Sequence, residues 1–299
     1  MTIFVSRHQK GFTLLELMIA LVIGLLVMAA AMHLFLNGVV SAKMQESAAE
    51  LQDSGILGLD YISKDIRLAN FGNDNQPVLN TKTPSGGIVF TSGAGANDVN
   101  LSVASDATLL TKSGNPSGLG SAAKSDQLTI QFKAPSDMYN CVGRKISKDD
   151  YVIQRYFLRA NGGGNALVCQ ANTSTGAATS VVGLNGTGEI IMPNVDQLRF
   201  YIGTRVGNGS DAKMAFYSID DYKTQAATAN PPRIVSIKVM VLVRSNNTNS
   251  SEHIDPSKDT YKFLENVGLK ASDTQSKYLR RLYATTIAIR NGLGEKVYE

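Results

Sequence analysis

Tryptophan is absent from the 299-residue chain, histidine occurs three times and cysteine twice. The scarcity of histidine weighs against a zinc enzyme or a Ser-His-Asp hydrolase, because both mechanisms need imidazole groups at the site. His8 lies close to the N-terminus and His33 in a long apolar run, so only His253 remains, which we interpret as solvated in a polar loop. The sequence also has no phosphate-binding loop and no dinucleotide fingerprint. These absences predict a protein that is not an enzyme and holds no cofactor.

A cluster of positive charge is also missing. The formal net charge is only +4, whereas a dedicated nucleic-acid surface needs clustered lysine and arginine. Nucleic acid as a partner is therefore left open. Hydrophobic residues make up 43% and charged residues 18% of the chain, which is enough to bury a core. With abundant glycine, serine, asparagine and threonine, the composition fits a domain rich in turns and strands outside the cytoplasm.

The longest apolar run covers residues 12–36, in which only Glu16 and His33 ionise. As a helix it would be about 37 Å long, sufficient to cross a bilayer. Arg7 and Lys10 precede it without any acidic residue. The positive-inside rule therefore predicts a cytoplasmic N-terminus, with the rest of the chain beyond the membrane.

Two simpler interpretations of this run remain open. A secretory signal peptide would be cleaved after the alanines at 29–31, but its apolar region is usually shorter and lacks an early carboxylate. A plain membrane anchor leaves Glu16 without a role, although a carboxylate inside a membrane costs several kcal/mol unless it is paired, shallow or protonated. Thr13 and Glu16 also have the spacing of a capping box. That box requires a helix that begins near residue 13, and hence a new N-terminus nearby.

Residues 10–17, KGFTLLEL, resemble the cleavage and N-methylation signature of type IV prepilins. The resemblance implies that residues 1–11 are a leader, which prepilin peptidase removes by cutting between Gly11 and Phe12. It also implies methylation of the new Phe12 amine and a filament core built from the apolar helix. Glu16, the fifth residue of the processed chain, would then pair with a neighbouring subunit's amine or with its own, and pairing in a low dielectric would set the axial register.

The helical pattern continues over residues 37–71, and no proline occurs before Pro77. We predict one helix from residue 12 to about residue 70, amphipathic in its second half, with Gly72 as its C-cap. An independent second helix after a bend near Gly38 is the alternative. The apolar stripe consists of Leu51, Gly55, Leu59, Ile62 and Ile66.

Residues 72–299 change to the alternating pattern of strands and predict a β-rich globular domain. Valine and isoleucine occupy alternate positions over 235–244, which indicates an antiparallel sheet with one face against the core. Residues 161–165, NGGGN, predict a hairpin turn, and residues 92–125 and 245–260 predict exposed loops. The predicted strands are 87–91, 99–103, 127–132, 151–159, 166–169, 197–202, 213–219, 234–244 and 282–290.

Further blocks are similar to PilW-type minor pilins: residues 51–69, 126–132, 141–143, 235–244 and 281–291. The resemblance implies an α+β, type IV pilin-like fold, with the long N-terminal helix packed on an antiparallel sheet. It implies a low-abundance subunit that primes pilus assembly at the tip, with other minor pilins, the major pilin and the assembly machinery as partners. Such a subunit starts as a single-pass inner-membrane protein with a periplasmic C-terminal domain, and then enters the pilus. A minor pseudopilin of a type II secretion system and a monomeric periplasmic adhesin or sensor are the alternatives.

Cys141 and Cys169 lie beyond the membrane in this topology. An oxidising periplasm favours a disulfide between them, and two free buried thiols are the alternative. Asp220 and Asp221, and the turn at residues 208–211, carry oxygen ligands that suit calcium. Neither has the spacing of an EF-hand, so we interpret both as simple turns.

Overall fold

The computed structural model describes residues 11–76, 78–120, 123–173, 176, 178–206, 212–228, 230–265 and 268–292. Leader residues 1–10 and the turn at 208–211 lie outside the described residues. The chain divides into two units, Met1–Glu46 and Ser47–Glu299.

Helix α1 spans Leu14–Leu68 and includes Gly38, as the prediction of one helix expects, and the alternative of a second helix after a bend is not observed. In the second unit its buried face includes the whole predicted stripe, from Leu51 to Ile66. The helix ends before the predicted cap, because Asn70 already takes a left-handed conformation (φ 67°), followed by Gly72 (φ 76°). Asparagine tolerates this conformation better than other residues with a Cβ. The apolar stripe is therefore confirmed, and the helix end is set by Asn70 rather than Gly72.

The described residues form eleven strands and a second helix. The strands are β1 Lys112–Asn115, β2 Ser125–Lys133, β3 Met138–Tyr139, β4 Lys145–Ile146, β5 Tyr151–Asn161, β6 Gly164–Ala171, β7 Glu189–Met192, β8 Val195–Val206, β9 Lys213–Tyr217, β10 Arg233–Thr248 and β11 Tyr278–Ala288. Helix α2 is Ile219–Ala226, and two 3₁₀ turns are Ala107–Leu109 and Arg290–Gly292. One antiparallel sheet has the order β1-β2-β5-β6-β7, a second has β11-β10-β8-β9, and β3 pairs with β4. The turn between β5 and β6 has positive φ at Gly162 and Gly163, as a two-residue hairpin requires.

The main core lies between the second half of α1 and both larger sheets. Ile62 and Ile66 of the helix join Tyr156 of the first sheet and Val239 of the second in one buried cluster. The combination of a long helix and an antiparallel sheet domain confirms the predicted fold class. The opposite face of β10 is not simply solvated, because Met240 and other residues of β8 and β10 form a separate cluster with side chains from two loops. That cluster contains Leu119, Tyr201, Met240, Leu242 and Phe263.

The segment 92–125, predicted to be an exposed loop, is packed instead. Leu101 and Leu110 are buried in a cluster with Val89 and Ile153. The predicted strands at 87–91 and 99–103 make only isolated bridges. The small polar residues of this segment are typical of loops. Its isolated leucines nevertheless pack against apolar residues that are distant in sequence.

Helix α2 was also not predicted, because its residues continue directly from strand β9. Strand β9 ends at Tyr217, and Ser218 caps the helix by accepting a hydrogen bond from the Asp221 N–H at 3.2 Å. A serine followed three residues later by an acidic residue is a capping signal that the sequence contained.

Candidate functional site

The start of α1 forms a reciprocal capping box between Thr13 and Glu16. The Thr13 N–H and hydroxyl both donate to Glu16 Oε2, at 2.9 and 3.0 Å, and the Glu16 N–H donates to Thr13 Oγ1 at 3.2 Å. These bonds satisfy backbone donors that the first helical turn leaves free. The first turn of the helix therefore holds the Glu16 carboxylate next to the Gly11–Phe12 junction.

The Gly11–Phe12 junction is uncovered in the part of the chain that the structure describes. Phe12 is 89% exposed, and a Cβ added at Gly11 would meet no atom within 4 Å. A protease reaches such a peptide bond without displacing other residues. The structure brings Gly11, Phe12 and Glu16 together at one helix start, and their roles in processing and assembly stay predictions.

The helix beyond Glu16 presents an apolar surface. The apolar side chains from Leu14 to Leu36 are exposed, and the most apolar window of α1 has a mean hydropathy of 2.6. A continuous surface of this kind does not stay in water in a monomeric protein. By length and composition, α1 is the one helix among the described residues that is able to cross a membrane.

Cys141 and Cys169 form a disulfide, with their Cα atoms 6.1 Å apart. Both cysteines are buried, and Cys169 lies in strand β6. The hydroxyl of Tyr61 in α1 donates to the Cys141 carbonyl at 3.5 Å. The disulfide that the sequence favoured is thus present and lies beside the second half of the helix.

A buried polar chain joins α1 to the same disulfide. Tyr156 donates its hydroxyl hydrogen to Asp65 Oδ2 at 2.5 Å and accepts one from the Gln154 amide at 2.8 Å. The amide oxygen of Gln154 accepts the Cys141 N–H at 3.0 Å. Burial raises the pKa of Asp65 and, more strongly, that of Tyr156. Helix, sheet and disulfide loop are therefore fixed together in the second unit.

A second buried charge lies in strand β2. Asp126 Oδ1 pairs with Arg199 Nη1 at 2.7 Å, and Asp126 Oδ2 accepts the Phe200 N–H at 2.8 Å. Arg199 also pairs with Glu265. Burial raises the pKa of Asp126 to about 7, against the opposing effects of Arg199 and the Phe200 N–H. This ion pair leaves no local pattern in the sequence, because its partners are distant in the chain.

The remaining candidate residues have ordinary surroundings. His253 is exposed. Asp220 accepts a hydrogen bond from Ser113, and Asp221 accepts one from Ser218 at 2.7 Å. Among the residues that the structure describes, no group of three or more His, Cys, Asp or Glu side chains is arranged to hold a metal.

Comparisons with known proteins agree with the resemblance. Residues 6–32 match the prokaryotic N-terminal methylation motif, and residues 155–291 match the family of Type IV Pilus-assembly protein W. Among the curated proteins, no relative matches this chain. A type IV-like pilin from Thermus thermophilus shares 11% identity with it over 82% of this chain and 97% of that one, with a TM-score of 0.38.

The methylation motif, with the exposed apolar helix and the β-sheet domain that follow it, defines a type IV pilin-like protein. Within this class, the match over residues 155–291 supports a minor pilin of the PilW type. The recognition made from the sequence is thereby confirmed. The N-terminal motif implies processing by prepilin peptidase and a membrane-anchored pilin.

Proposed function

We propose that this chain is a minor pilin of a type IV pilus that primes pilus assembly, in a complex at the tip. The observation that carries the proposal is the start of α1, where the Glu16 carboxylate is held beside an uncovered Gly11–Phe12 bond and an exposed apolar helix follows. Other minor pilins, the major pilin and the assembly machinery are the partners. Pilus-dependent motility, adhesion or DNA uptake are the processes that it would support, through assembly rather than catalysis.

Cleavage after Gly11 would place a new amine at Phe12, next to a carboxylate that is already fixed. In the capping box, Glu16 is satisfied by Thr13 within its own chain. An incoming subunit's amine would compete for this carboxylate with a full positive charge, and charge-assisted hydrogen bonds are roughly twice as strong as neutral ones. Exchange of the Thr13 contacts for an intersubunit contact is therefore the proposed assembly step. It fixes the axial position of one subunit relative to the next.

The proposed topology is a single pass through the inner membrane. Arg7 and Lys10 keep the N-terminus in the cytoplasm, residues 12–36 lie in the membrane, residues 37–71 continue the helix, and residues 72–299 lie in the periplasm. The Cys141–Cys169 disulfide supports this placement, because such bonds persist in oxidising compartments. After processing, the subunit moves from the membrane into the pilus.

The test has two parts. The N-terminus of the protein from its native membrane is first determined by mass spectrometry, and we expect N-methylated Phe12. Piliation is then counted in cells that carry Glu16→Ala, with Glu46→Ala as a matched control on the same helix. We expect few or no pili with Glu16→Ala, although the protein is still processed, and normal piliation with Glu46→Ala.

A chain that starts at Met1 would overturn the processing proposal, and normal piliation with Glu16→Ala would overturn the pairing proposal. Deletion of the whole chain separates the pilus from a secretion system. Loss of pili with normal protein secretion supports the minor pilin, whereas loss of secretion with normal pili would assign the chain to a type II pseudopilus.

A further inference from the structure

A polar cleft of about 500 Å³ lies where the β5–β6 hairpin approaches the β8-β10-β11 face. Its walls are the hairpin turn, the backbone of Gly118 and the loop that carries Ser272 and Asp273. The Ser272 hydroxyl donates to the Gly118 carbonyl at 2.7 Å, so the two loops are tied together. The cleft is lined by residues of the second unit and is large enough for a small ligand.

Two arginines converge on one carboxylate at the base of this cleft. Arg280 Nε donates to Asp196 Oδ2 at 2.7 Å, and Arg244 Nε lies 3.8 Å from Asp196 Oδ1, too far for a hydrogen bond. The side chains of Arg280, Asp196 and Arg244 are only 1%, 3% and 10% exposed. Arg244 and Arg280 also both approach the ring of Tyr278, at 4.4 and 5.7 Å. One buried carboxylate therefore lies between two positive charges, and Asp273 interacts more weakly with Arg280.

The hydrogen bonds of this cluster are incomplete. Within the described part of the chain, Arg280 Nη1 and Arg244 Nε are buried and have no hydrogen-bond partner. A buried donor without a partner costs about 1–3 kcal/mol, and more for a charged group. Arg244 does donate to the Gly163 carbonyl at 3.3 Å, which aligns it along the hairpin turn. Two arginines that line a cleft of ligand size therefore each carry a donor without a partner.

Glycines make room for the charged groups. A Cβ at Gly118 would lie 2.5 Å from Asp196 Oδ1, and a Cβ at Gly164 would lie 2.2 Å from Arg244 Nη2. Any other residue at these positions would displace the carboxylate or the guanidinium. The backbone around the cleft is thus fitted to these two side chains.

We propose that this cleft binds a sugar residue that carries a carboxylate, such as a uronic acid. Arg244 and Arg280 would bind the carboxylate, because the planar guanidinium matches its two oxygens. The cleft is also lined by Asp273, Asn161 and Asn165, whose polar groups suit the hydroxyl groups of a sugar ring. Hydrogen bonds from Ser276 and from the Gln275 N–H lower the pKa of Asp273 to about 2, so it stays ionised and repels a plain anion. The ligand therefore needs both an acid group and hydroxyl donors.

The test measures binding to the full-length protein in detergent micelles by calorimetry and saturation-transfer NMR. Galacturonate and glucuronate are the probes, with methyl galactoside and acetate as comparisons. We expect saturable binding of a uronate, with methyl galactoside and acetate at least about 10-fold weaker, since each lacks one set of charged or polar contacts.

Two variants locate the binding. Arg244→Gln removes one guanidinium, and Gly164→Ala keeps every charge but pushes the flexible end of Arg244 aside. Both are expected to weaken uronate binding about 10-fold or more. Arg281→Gln, on the same strand as Arg280 but outside the cleft, is expected to bind as the parent does. Matched thermal unfolding of the variants and the parent shows that the fold is retained.

Absence of uronate binding by the parent protein would overturn the inference. If acetate bound as tightly as the uronate, the cleft would be a site for any carboxylate and the sugar specificity would be wrong. If methyl galactoside bound as tightly, the arginines would not contribute to binding. Uronate binding that survives in both cleft variants would place the site elsewhere. None of these results depends on pilus assembly, so this inference and the proposed function fail separately.

Discussion

Tyr156 of strand β5 donates a 2.5 Å hydrogen bond to the carboxylate of Asp65 in helix α1. The tyrosine is fully buried, and Asp65 is half-buried. This contact fastens the second half of the helix to the sheet by a polar interaction inside an apolar layer. An apolar stripe alone permits small shifts of a helix along the sheet, whereas a hydrogen bond requires one position.

Tyr156→Phe should therefore destabilise the domain by about 1–3 kcal/mol, because Asp65 would lose a donor while the ring still fills its space. The measurement is urea unfolding of the full chain in detergent, followed by near-UV circular dichroism. Tyr139→Phe is the matched control, since Tyr139 is 68% exposed. Equal midpoints for the two variants would mean that the hydrogen bond contributes nothing to stability.

The disulfide makes a separate contribution to stability. Cys141 and Cys169 close a loop with a sequence separation of 28, and the chain-entropy model assigns about 3–4 kcal/mol to a loop of this size. The double variant Cys141→Ser/Cys169→Ser should unfold at a correspondingly lower urea concentration. Added reductant should destabilise the parent protein and leave the double variant unchanged. A parent protein whose disulfide is completely reduced and whose stability is unchanged would contradict this prediction.

Gly87 is expected to be intolerant of any side chain. A Cβ at this position would lie 2.0 Å from the Asn70 nitrogen and 2.6 Å from its Cα, and backbone atoms at the end of α1 do not move aside easily. Gly87→Ala should cost at least about 2–3 kcal/mol of stability, as overpacking of a core does. Gly120→Ala is the control, because its nearest neighbour would be 4.0 Å away. A neutral Gly87→Ala variant would show that residues 69–70 are free to shift.

Local sequence patterns predicted the features that depend only on residues close together in the sequence. The stripe from Leu51 to Ile66 and the alternation in β10 each depend on one periodicity, and the glycine-rich hairpin depends on the backbone freedom of Gly162 and Gly163. The N-terminal motif was also readable, because its charge, glycine, carboxylate and apolar run are adjacent in sequence.

Contacts between distant residues were not predicted. Arg244, Arg280 and Asp196 lie on three strands, and only strand pairing brings them to one cleft. The burial of Leu101 and Leu110 in the segment 92–125 likewise depends on Val89 and Ile153. The sequence did contain one indication of the cleft. Arg244 and Arg280 occur in strands with many apolar residues, and a buried arginine needs a partner of opposite charge.

The buried Asp126 predicts an unusual pH dependence. Its pKa is about 7 in the folded protein, mainly because of burial, and about 3.9 in an unfolded chain. Between these values the folded state binds more protons than the unfolded state. The free energy of unfolding should therefore fall as the pH rises from about 4 to about 7, by at most about 1.4 kcal/mol per pH unit from this group. Above about pH 7 the carboxylate is ionised in both states, and its contribution to the slope ends.

Asp126→Asn is the variant that tests this dependence. It should lower stability most above about pH 7, where the ionised carboxylate pairs with Arg199. Between pH 4.5 and 7 its free energy of unfolding should fall less steeply than that of the parent. The comparison removes the effects of Asp65 and Asp196, whose pKa values burial also raises, because both groups are present in both proteins. Asp255→Asn is the control. Hydrogen bonds from Ser257 and Lys258 lower the pKa of Asp255 to about 2, so its effect lies below pH 4. Parallel slopes for parent and Asp126→Asn would mean that Arg199 and the Phe200 N–H keep Asp126 ionised throughout this range.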